Sequence, residues 1–287
     1  MRQNAAECSF GTDSWVILSP IEQRIKYKIE RVGVPLKDWD IQINYGIKTG
    51  FNEAFIISGE KRKELIEQDP KSDEIIRPIL RGRDIKRYGY EFADLYLICT
   101  FPAKHIDIEQ YPAVKNHLLS FGIERLEQTG KEHIVNGEEI KARKKTNNKW
   151  FETQDQIGYW NDFFKQKIAW ASVGETYYSL IPETHFLLDT NYFLTTSKNI
   201  KYLLAILNSK LIKYWINSED TQIGSGGAYR HYKYNLEKLH VPNVSIADEK
   251  YIEQLLENKE YDKIESYVFN LYQLTDDEIK FISSGVN

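Results

Sequence analysis

Cysteine is scarce in this chain. Only Cys8 and Cys99 occur among the 287 residues, far apart and without a neighbouring cysteine. Two isolated cysteines build neither a disulfide framework nor a cysteine zinc cluster, because the latter needs closely spaced pairs. This usage is typical of a reducing compartment, so we expect the protein to be cytoplasmic.

Long apolar runs are missing as well. The longest, residues 95–103, contains Thr100 and Pro102 and reaches about half of the roughly 20 residues that a membrane-spanning helix needs. No charged and then apolar signal segment follows Met1. We therefore expect neither insertion into a membrane nor export.

Recognisable catalytic motifs are a third absence. The chain has no Gly-x-Gly-x-x-Gly, no Walker loop, no His-Glu-x-x-His, no Gly-x-Ser-x-Gly and no Cys-x-x-Cys. The nuclease-like pattern Glu-x-Lys occurs at Glu139–Lys141 and at Glu278–Lys280, but no upstream carboxylate at short range completes a metal site. Glu278 also fits a helix capping box that begins at Thr275. We predict no catalytic and no metal-binding residue in this chain.

Charge is unevenly distributed, although the net charge is only -4. The first cationic segment, residues 77–87, holds five basic residues and one acid, and the second, residues 141–149, holds five basic residues and no acid. The C-terminal region is acidic. The two cationic segments suit a polyanionic partner, whereas the C-terminal region suits water or protein.

Hydrophobic periodicity predicts an α+β protein with an irregular mixed or antiparallel sheet, flanking helices and a C-terminal helical tail. The predicted strands cover residues 39–45, 54–57, 94–100, 167–171 and 186–194, the first two forming a hairpin. The first predicted helix begins at Pro20, after a cap at Ser19. The other predicted helices cover residues 61–68, 111–126, 203–215, 251–256, 264–271 and a last segment from Thr275. We expect residues 129–148 to be an exposed excursion and residues 223–234 a flexible glycine loop.

Five segments together resemble a known family. They are Asn44-Tyr-Gly-Ile-Lys-Thr-Gly-Phe-Asn-Glu-Ala-Phe55, Arg77-Pro-Ile-Leu-Arg-Gly-Arg-Asp-Ile-Lys-Arg-Tyr88, Leu207-Asn-Ser209, Lys238-Leu-His-Val-Pro242 and Leu271-Tyr-Gln-Leu-Thr-Asp-Asp-Glu-Ile279. In this order and spacing they resemble the TaqI-like C-terminal specificity domain. That domain is the target recognition domain of type IIG restriction-modification enzymes and related DNA N6-adenine methyltransferases.

The resemblance implies sequence-specific recognition of double-stranded DNA. Residues 1–38 would form a linker with one helix, residues 39–244 the DNA target recognition domain, and residues 245–287 a C-terminal helical tail packed on that domain. Methyltransferase and nuclease domains would lie upstream in the same polypeptide, and S-adenosylmethionine and Mg²⁺ would bind there. The family's Asn-Pro-Pro-Tyr-type motif and glycine-containing cofactor loop do not occur in this chain. We therefore expect this chain to bind DNA and not to catalyse, as part of a longer adenine methyltransferase or type II restriction endonuclease.

The motifs shared with the family are expected to contact phosphates. Arg81 and Arg83 flank Gly82, so in an extended segment both side chains point to one face and can grip neighbouring phosphates or one guanine edge. The alternative is that Asp84 pairs with one of them to fix a turn. Lys48 and Thr49, in a turn flanked by glycines, are further phosphate candidates.

Base readers are expected where the chain differs from the family motifs, because family members are understood to read different targets. One such place is residues 125–149, with Arg143, Lys144 and Lys145; the alternative is a solvated surface loop. The other is residues 225–233, with Tyr229, Arg230 and Lys233; the alternative is a plain glycine turn.

Two other functions compete with DNA recognition. The first is a free-standing metal-dependent nuclease that uses Glu139. The second is a protein-docking specificity module, for which the acidic helical tail is the support.

Overall fold

The computed structural model describes residues 18–224 and 227–285. The chain divides into two compact units, which are described separately. The central unit consists of residues 42–195, and the terminal unit consists of residues 1–41 and 196–287. The predicted domain boundaries after residues 38 and 244 stay a prediction.

The described residues form helices and short strands in both units. The helices are α1 (Pro20–Arg31), α2 (Asn52–Phe55), α3 (Gly59–Gln68), α4 (Pro112–Leu119), α5 (Ile123–Leu126), α6 (Ile200–Leu207), α7 (Lys210–Glu219), α8 (Lys233–Lys238), α9 (Ile246–Glu257), α10 (Tyr261–Leu271) and α11 (Asp276–Gly285). The strands are β1 (Val34–Pro35), β2 (Ile41–Tyr45), β3 (Ile56–Ser58), β4 (Ile76–Leu80), β5 (Ile85–Lys86), β6 (Gly89–Tyr90), β7 (Leu95–Ile98), β8 (Glu132–Val135), β9 (Glu138–Lys141), β10 (Lys167–Ala171), β11 (Val173–Gly174), β12 (Ser179–Ile181), β13 (Phe186–Leu187), β14 (Asn191–Thr196), β15 (Thr221–Ile223), β16 (Ala228–Arg230) and β17 (His240–Val241).

Two four-stranded sheets organise the central unit, in the orders β12-β10-β14-β2 and β13-β4-β7-β3. Strand β10 pairs antiparallel with β12 and β14, and β7 pairs antiparallel with β3 and β4. Strand β13 runs parallel to β4, so the second sheet is mixed. Aromatic rings fill the core, with the centroid of Phe163 4.9 Å from Phe186 and 4.7 Å from Phe193. The predicted α+β fold with mixed and antiparallel sheets is confirmed.

The predicted hairpin of residues 39–45 and 54–57 is wrong. Strand β2 lies beside β14, and β3 pairs with β7, so the two segments belong to different sheets. After β2 the chain runs beside residues 187–188, where Ile47 N donates to Leu187 O at 2.7 Å. Ala54 and Phe55, expected to begin a strand, belong instead to α2, which follows the hydrogen bond from the Thr49 hydroxyl to Asn52.

The terminal unit is mainly helical and begins with the predicted capped helix. Ser19 N donates to Glu22 Oε2 at 2.7 Å and Ser19 Oγ accepts from Glu22 N, which confirms the capping box of α1. The single core helix expected at residues 203–215 is two helices, α6 and α7. The helix is interrupted there because Ser209 caps the start of a new helix, with its Oγ accepting a hydrogen bond from Ile212 N.

The three helices predicted near the C-terminus are confirmed as α9, α10 and α11. Glu278 closes the predicted capping box, accepting from Thr275 N at 2.8 Å, and Lys28 Nζ on α1 lies 2.6 Å from the same carboxylate. Burial opposes ionisation of Glu278, but the hydrogen bonds from Lys28 and Thr275 outweigh it and lower its pKa. No helix within the described ranges has both the length and the apolar character to cross a membrane.

Candidate nucleic-acid interface

The first cationic segment folds into a tight turn. Gly82–Asp84 form a 3-10 helix, not the extended segment expected, and Arg81 Nε and Nη2 donate to the Asp84 carboxylate at 2.9 and 2.7 Å. Asp84 is 5% exposed; burial opposes its ionisation, but the Arg81 hydrogen bonds dominate and lower its pKa. Arg81 thus fixes the turn, as the alternative proposed, whereas the Arg83 side chain is exposed.

The glycine-flanked turn separates its two candidates in the same way. Thr49 is 1% exposed, and its Oγ1 donates to Asn52 Oδ1 at 2.6 Å while accepting from Phe51 N at 3.1 Å. The Lys48 side chain is exposed. Lys48 is therefore available to an anion, and Thr49 shapes the turn that carries it.

A bridging turn, residues 187–191, joins these two distant turns. On one side, Asp189 N donates to Ile47 O at 3.0 Å. On the other side, Gly82 N donates to Thr190 Oγ1 at 2.9 Å, and Asn191 Nδ2 donates to Leu80 O at 3.0 Å. The main chain beside Lys48 and the main chain beside Arg83 are thus held by one short segment.

Arg143 connects the second cationic segment to the glycine-flanked turn of Lys48 and Thr49. It is 5% exposed, and its guanidinium donates to four main-chain carbonyls: Thr49 O (2.9 Å), Leu126 O (2.8 Å), Trp150 O (2.6 Å) and Glu152 O (2.8 Å). Burial lowers the pKa of Arg143 to about 10. The arrangement fits a structural role, while the neighbouring Lys144 and Lys145 are exposed.

The excursion predicted for residues 129–148 contains the β8–β9 hairpin. Its register pairs Ile134 with Glu139, and Ile134 is 82% exposed. Glu139, the nuclease candidate, lies on this exposed hairpin. Within residues 18–224 and 227–285, no group of three or more His, Cys, Asp and Glu side chains is arranged to hold a metal ion.

The remaining candidates lie in the terminal unit. The expected flexible loop is largely the β15–β16 hairpin followed by α8, with Ser225 and Gly226 outside the described residues. Arg230 is exposed at the end of β16, whereas Tyr229 and Lys233 are half-buried. Lys233 lies 3.5 Å from Glu237.

Sequence reasoning missed a neighbouring pair, Tyr234 and Lys238. The Tyr234 ring is 55% exposed and stacks on Tyr232 with centroids 5.3 Å apart, and Lys238 Nζ lies 5.5 Å from the Tyr234 centroid. The alternation of Tyr232 and Tyr234 beside basic residues is the signal that could have identified them. An exposed ring beside cations is able to stack on a base or a sugar.

Two more residues near the bridging turn were missed. Tyr45 is 51% exposed; its ring centroid lies 4.4 Å from that of Tyr192, and the two hydroxyl oxygens are 3.1 Å apart. Asp189 is half-buried between Lys48 and the first cationic segment. Tyr45 lies in the family segment Asn44–Phe55 but was not selected as a site residue, and Asp189 lies in none of the five segments. Only the fold reveals that both lie near the bridging turn.

Comparison with known proteins places these residues in a wider context. The model of the TaqI-like C-terminal specificity domain matches residues 77–241. The type IIL restriction-modification enzyme MmeI, solved in complex with DNA, is 10% identical with a TM-score of 0.55, and the alignment covers 88% of this chain and 36% of MmeI. The type IIG restriction endonuclease BpuSI is 12% identical with a TM-score of 0.54, over 93% of this chain and 32% of BpuSI. The chain thus spans about a third of either enzyme. Among curated proteins, no sequence matches.

Proposed function

Because the chain belongs to the family of TaqI-like C-terminal specificity domains, we propose that it recognises a specific sequence in double-stranded DNA for a type II restriction-modification enzyme. The observation that carries this proposal is the linkage of three exposed cationic sites in the central unit. The bridging turn holds the main chain beside Lys48 and Arg83, and Arg143 holds the turn of Lys48 and the segment of Lys144.

The exposed basic side chains of the central unit contact phosphates in this proposal. Lys48, Arg83, Lys144 and Lys145 offer flexible charged donors that need no fixed base geometry. Their main chain is held by Arg81, Thr49 and Arg143, each of which donates hydrogen bonds within the protein. These three residues fix the main chain that carries the phosphate-contacting side chains and do not themselves contact DNA.

The terminal unit supplies a second surface with a different chemistry. Arg230 is an exposed planar donor that can form a bidentate contact with a guanine edge. Tyr229, Lys233, Tyr234 and Lys238 surround it in sequence with phenols and ammonium groups, which favour stacking and phosphate contacts. We assign base reading to Arg230 and positioning to its neighbours.

Catalysis belongs to other parts of a longer cytoplasmic enzyme in this proposal. An upstream methyltransferase region would bind S-adenosylmethionine and modify an adenine, and an upstream nuclease region would bind Mg²⁺. The similarity of the chain to about a third of MmeI and of BpuSI supports this arrangement.

The test is a salt titration of DNA binding. The chain is titrated with a fluorescent 30-base-pair duplex at several salt concentrations, and log affinity should fall with log salt by about 0.9 for each phosphate neutralised. Lys48→Ala and Arg83→Ala should each reduce that slope by about one contact. The matched control is Lys63→Ala, an exposed lysine of α3. A slope near zero for the unmodified chain, or equal slopes for all variants, contradicts the proposal.

A further inference from the structure

One carboxylate lies among the cationic sites of the central unit. Asp189 belongs to the bridging turn, and its N–H donates to Ile47 O, so it lies directly beside Lys48. The turn is held firmly around it: Leu188 N donates to Leu80 O at 2.9 Å, and Asn191 Nδ2 donates to Leu188 O at 3.2 Å. The Asp189 carboxylate is therefore carried by main chain that is fixed on both sides.

The carboxylate itself is left without a donor from another residue. It is half-buried, and within the described residues no other residue donates a hydrogen bond to it. Burial, together with the charge of Asp155, raises the pKa of Asp189, against the opposing charge of Lys48. A partly desolvated carboxylate with unused acceptor capacity is unfavourable for the free protein. A ligand that donates a hydrogen bond to this carboxylate therefore relieves that cost when it binds.

The chemistry of duplex DNA limits which donor that can be. Phosphates are anionic acceptors, so a carboxylate beside Lys48 repels them and weakens non-specific binding. In the major groove the donors are the exocyclic amino groups of cytosine, N4, and adenine, N6. A carboxylate in such a place lowers affinity for DNA in general and favours one base over its alternatives.

From this geometry we infer that Asp189 is a specificity-determining residue. It accepts a hydrogen bond from the exocyclic amino group of a cytosine or an adenine in the major groove, while Lys48 beside it holds a nearby phosphate. The inference rests on the proposed function, because it requires the central unit to face duplex DNA. It adds one base-reading position that belongs to no motif in the sequence.

The test selects the preferred DNA sequence of the chain and of its variants. A random duplex library is bound to the immobilised 287-residue chain, and retained DNA is sequenced. Asp189→Asn removes the charge and Asp189→Glu keeps the charge but moves the carboxylate by one methylene. Asp277→Asn, in the exposed first turn of α11, is the charge-matched control.

We expect the unmodified chain and Asp277→Asn to enrich the same motif, with one position restricted to cytosine or adenine on the contacted strand. Asp189→Glu should lose that one restriction, with discrimination falling by about tenfold to a hundredfold. Asp189→Asn, whose amide matches the N6 and N7 atoms of adenine, should shift the preference at that position to adenine. For Asp189→Asn, affinity for random-sequence duplex should not fall, since one repulsive charge is gone. For Asp189→Glu, that affinity should stay unchanged.

The failures of the inference and of the proposed function are distinguishable. If the unmodified chain retains no DNA, or retains it without an enriched motif, the proposed function is wrong and the inference fails with it. If the motif is enriched and both Asp189 variants keep it, the inference alone is wrong. Equal weakening of binding to every sequence in the Asp189 variants also overturns it, because that result indicates a structural role.

Discussion

His231 Nδ1 lies 2.6 Å from Asp220 Oδ2, and the two side chains are only 4% and 1% exposed. The pair closes the base of the β15–β16 hairpin: Asp220 precedes Thr221, His231 follows Arg230, and Thr221 is paired with Arg230. Asn235 Nδ2 also donates to Asp220, at 2.8 Å. The hairpin that presents Arg230 is therefore fixed by a buried polar cluster.

Removing the histidine should release the hairpin. His231→Ala leaves the buried Asp220 carboxylate with fewer donors and should destabilise the hairpin by about 1–3 kcal/mol. Amide hydrogen exchange in residues 221–223 and 228–230 should accelerate accordingly. His231→Asn, whose amide can replace the Nδ1 donor, should restore much of the protection. His185→Ala in the central unit is the control, and equal exchange in all variants would show that the pair does not hold the hairpin.

Replacing Arg143 should lower the free energy of unfolding, and the loss of its charge alone should not account for the decrease. Arg143→Ala removes a donor from four carbonyls, of which Glu152 O keeps a hydrogen bond from Gln128 Nε2, and opens a cavity, so the free energy of unfolding should fall by about 3–5 kcal/mol. Lys144→Ala and Lys145→Ala should change it by no more than about 0.5 kcal/mol, because both side chains are exposed. Urea unfolding measures all three. A small effect of Arg143→Ala would contradict the structural role, and Arg143→Lys tests whether charge alone suffices.

The Arg81–Asp84 pair should make stability depend on pH in the acid range. Asp84 has a lowered pKa in the folded chain, so its contribution is fully present above the ordinary aspartate pKa of about 3.9 and is lost as the pH falls through the folded value. Asp84→Asn should therefore destabilise the chain by about 1–3 kcal/mol at pH 7, with the difference shrinking below about pH 4. Thermal unfolding across pH 3–7 measures this. Asp277→Asn is the control; a difference independent of pH would exclude an ionised pair.

Local patterns predicted much of the fold because their causes are local. The capping boxes at Ser19 and Thr275 and the strand at residues 167–171 follow from neighbouring residues, and all three are present. The hairpin of residues 39–45 and 54–57 failed because β2 and β3 are recruited to different sheets by distant strands. Strand partners depend on tertiary contacts that a sequence window does not contain.

The candidate site was predictable by segment and not by side chain. The charged segments around Arg83, Lys144 and Arg230 were visible because charge is read directly from the sequence. Burial is not, and an arginine in a basic run looks the same whether it is exposed or, like Arg143, bonded to four carbonyls. Asp189 was missed for the same reason, since its place beside Lys48 depends on the bridging turn.

Mutations in the two surfaces should have different effects on the affinity for DNA and on its sequence specificity. Arg83 is exposed on a turn whose main chain is fixed by Arg81 and Asp84, and its proposed partner is a phosphate. Arg83→Ala should weaken binding to cognate and random duplexes by the same factor and should reduce the salt slope by about 0.9. Arg230 is proposed to read a base edge. Arg230→Ala should cost about 1–3 kcal/mol on the cognate duplex and leave random-sequence binding almost unchanged.

The cognate duplex for this comparison is the motif enriched by the unmodified chain, and the random duplex is a scrambled sequence of the same composition. Anisotropy titrations at two salt concentrations give, for each variant, the affinity for the cognate duplex and for the random duplex at each salt concentration. Lys63→Ala, at an exposed lysine of α3 that belongs to neither set of proposed contacts, controls for loss of a positive charge. The reverse pattern, with a relaxed motif in Arg83→Ala and uniform weakening in Arg230→Ala, would exchange the two assignments: the turn shared with the family would then read bases, and the hairpin closed by Asp220 and His231 would position the backbone.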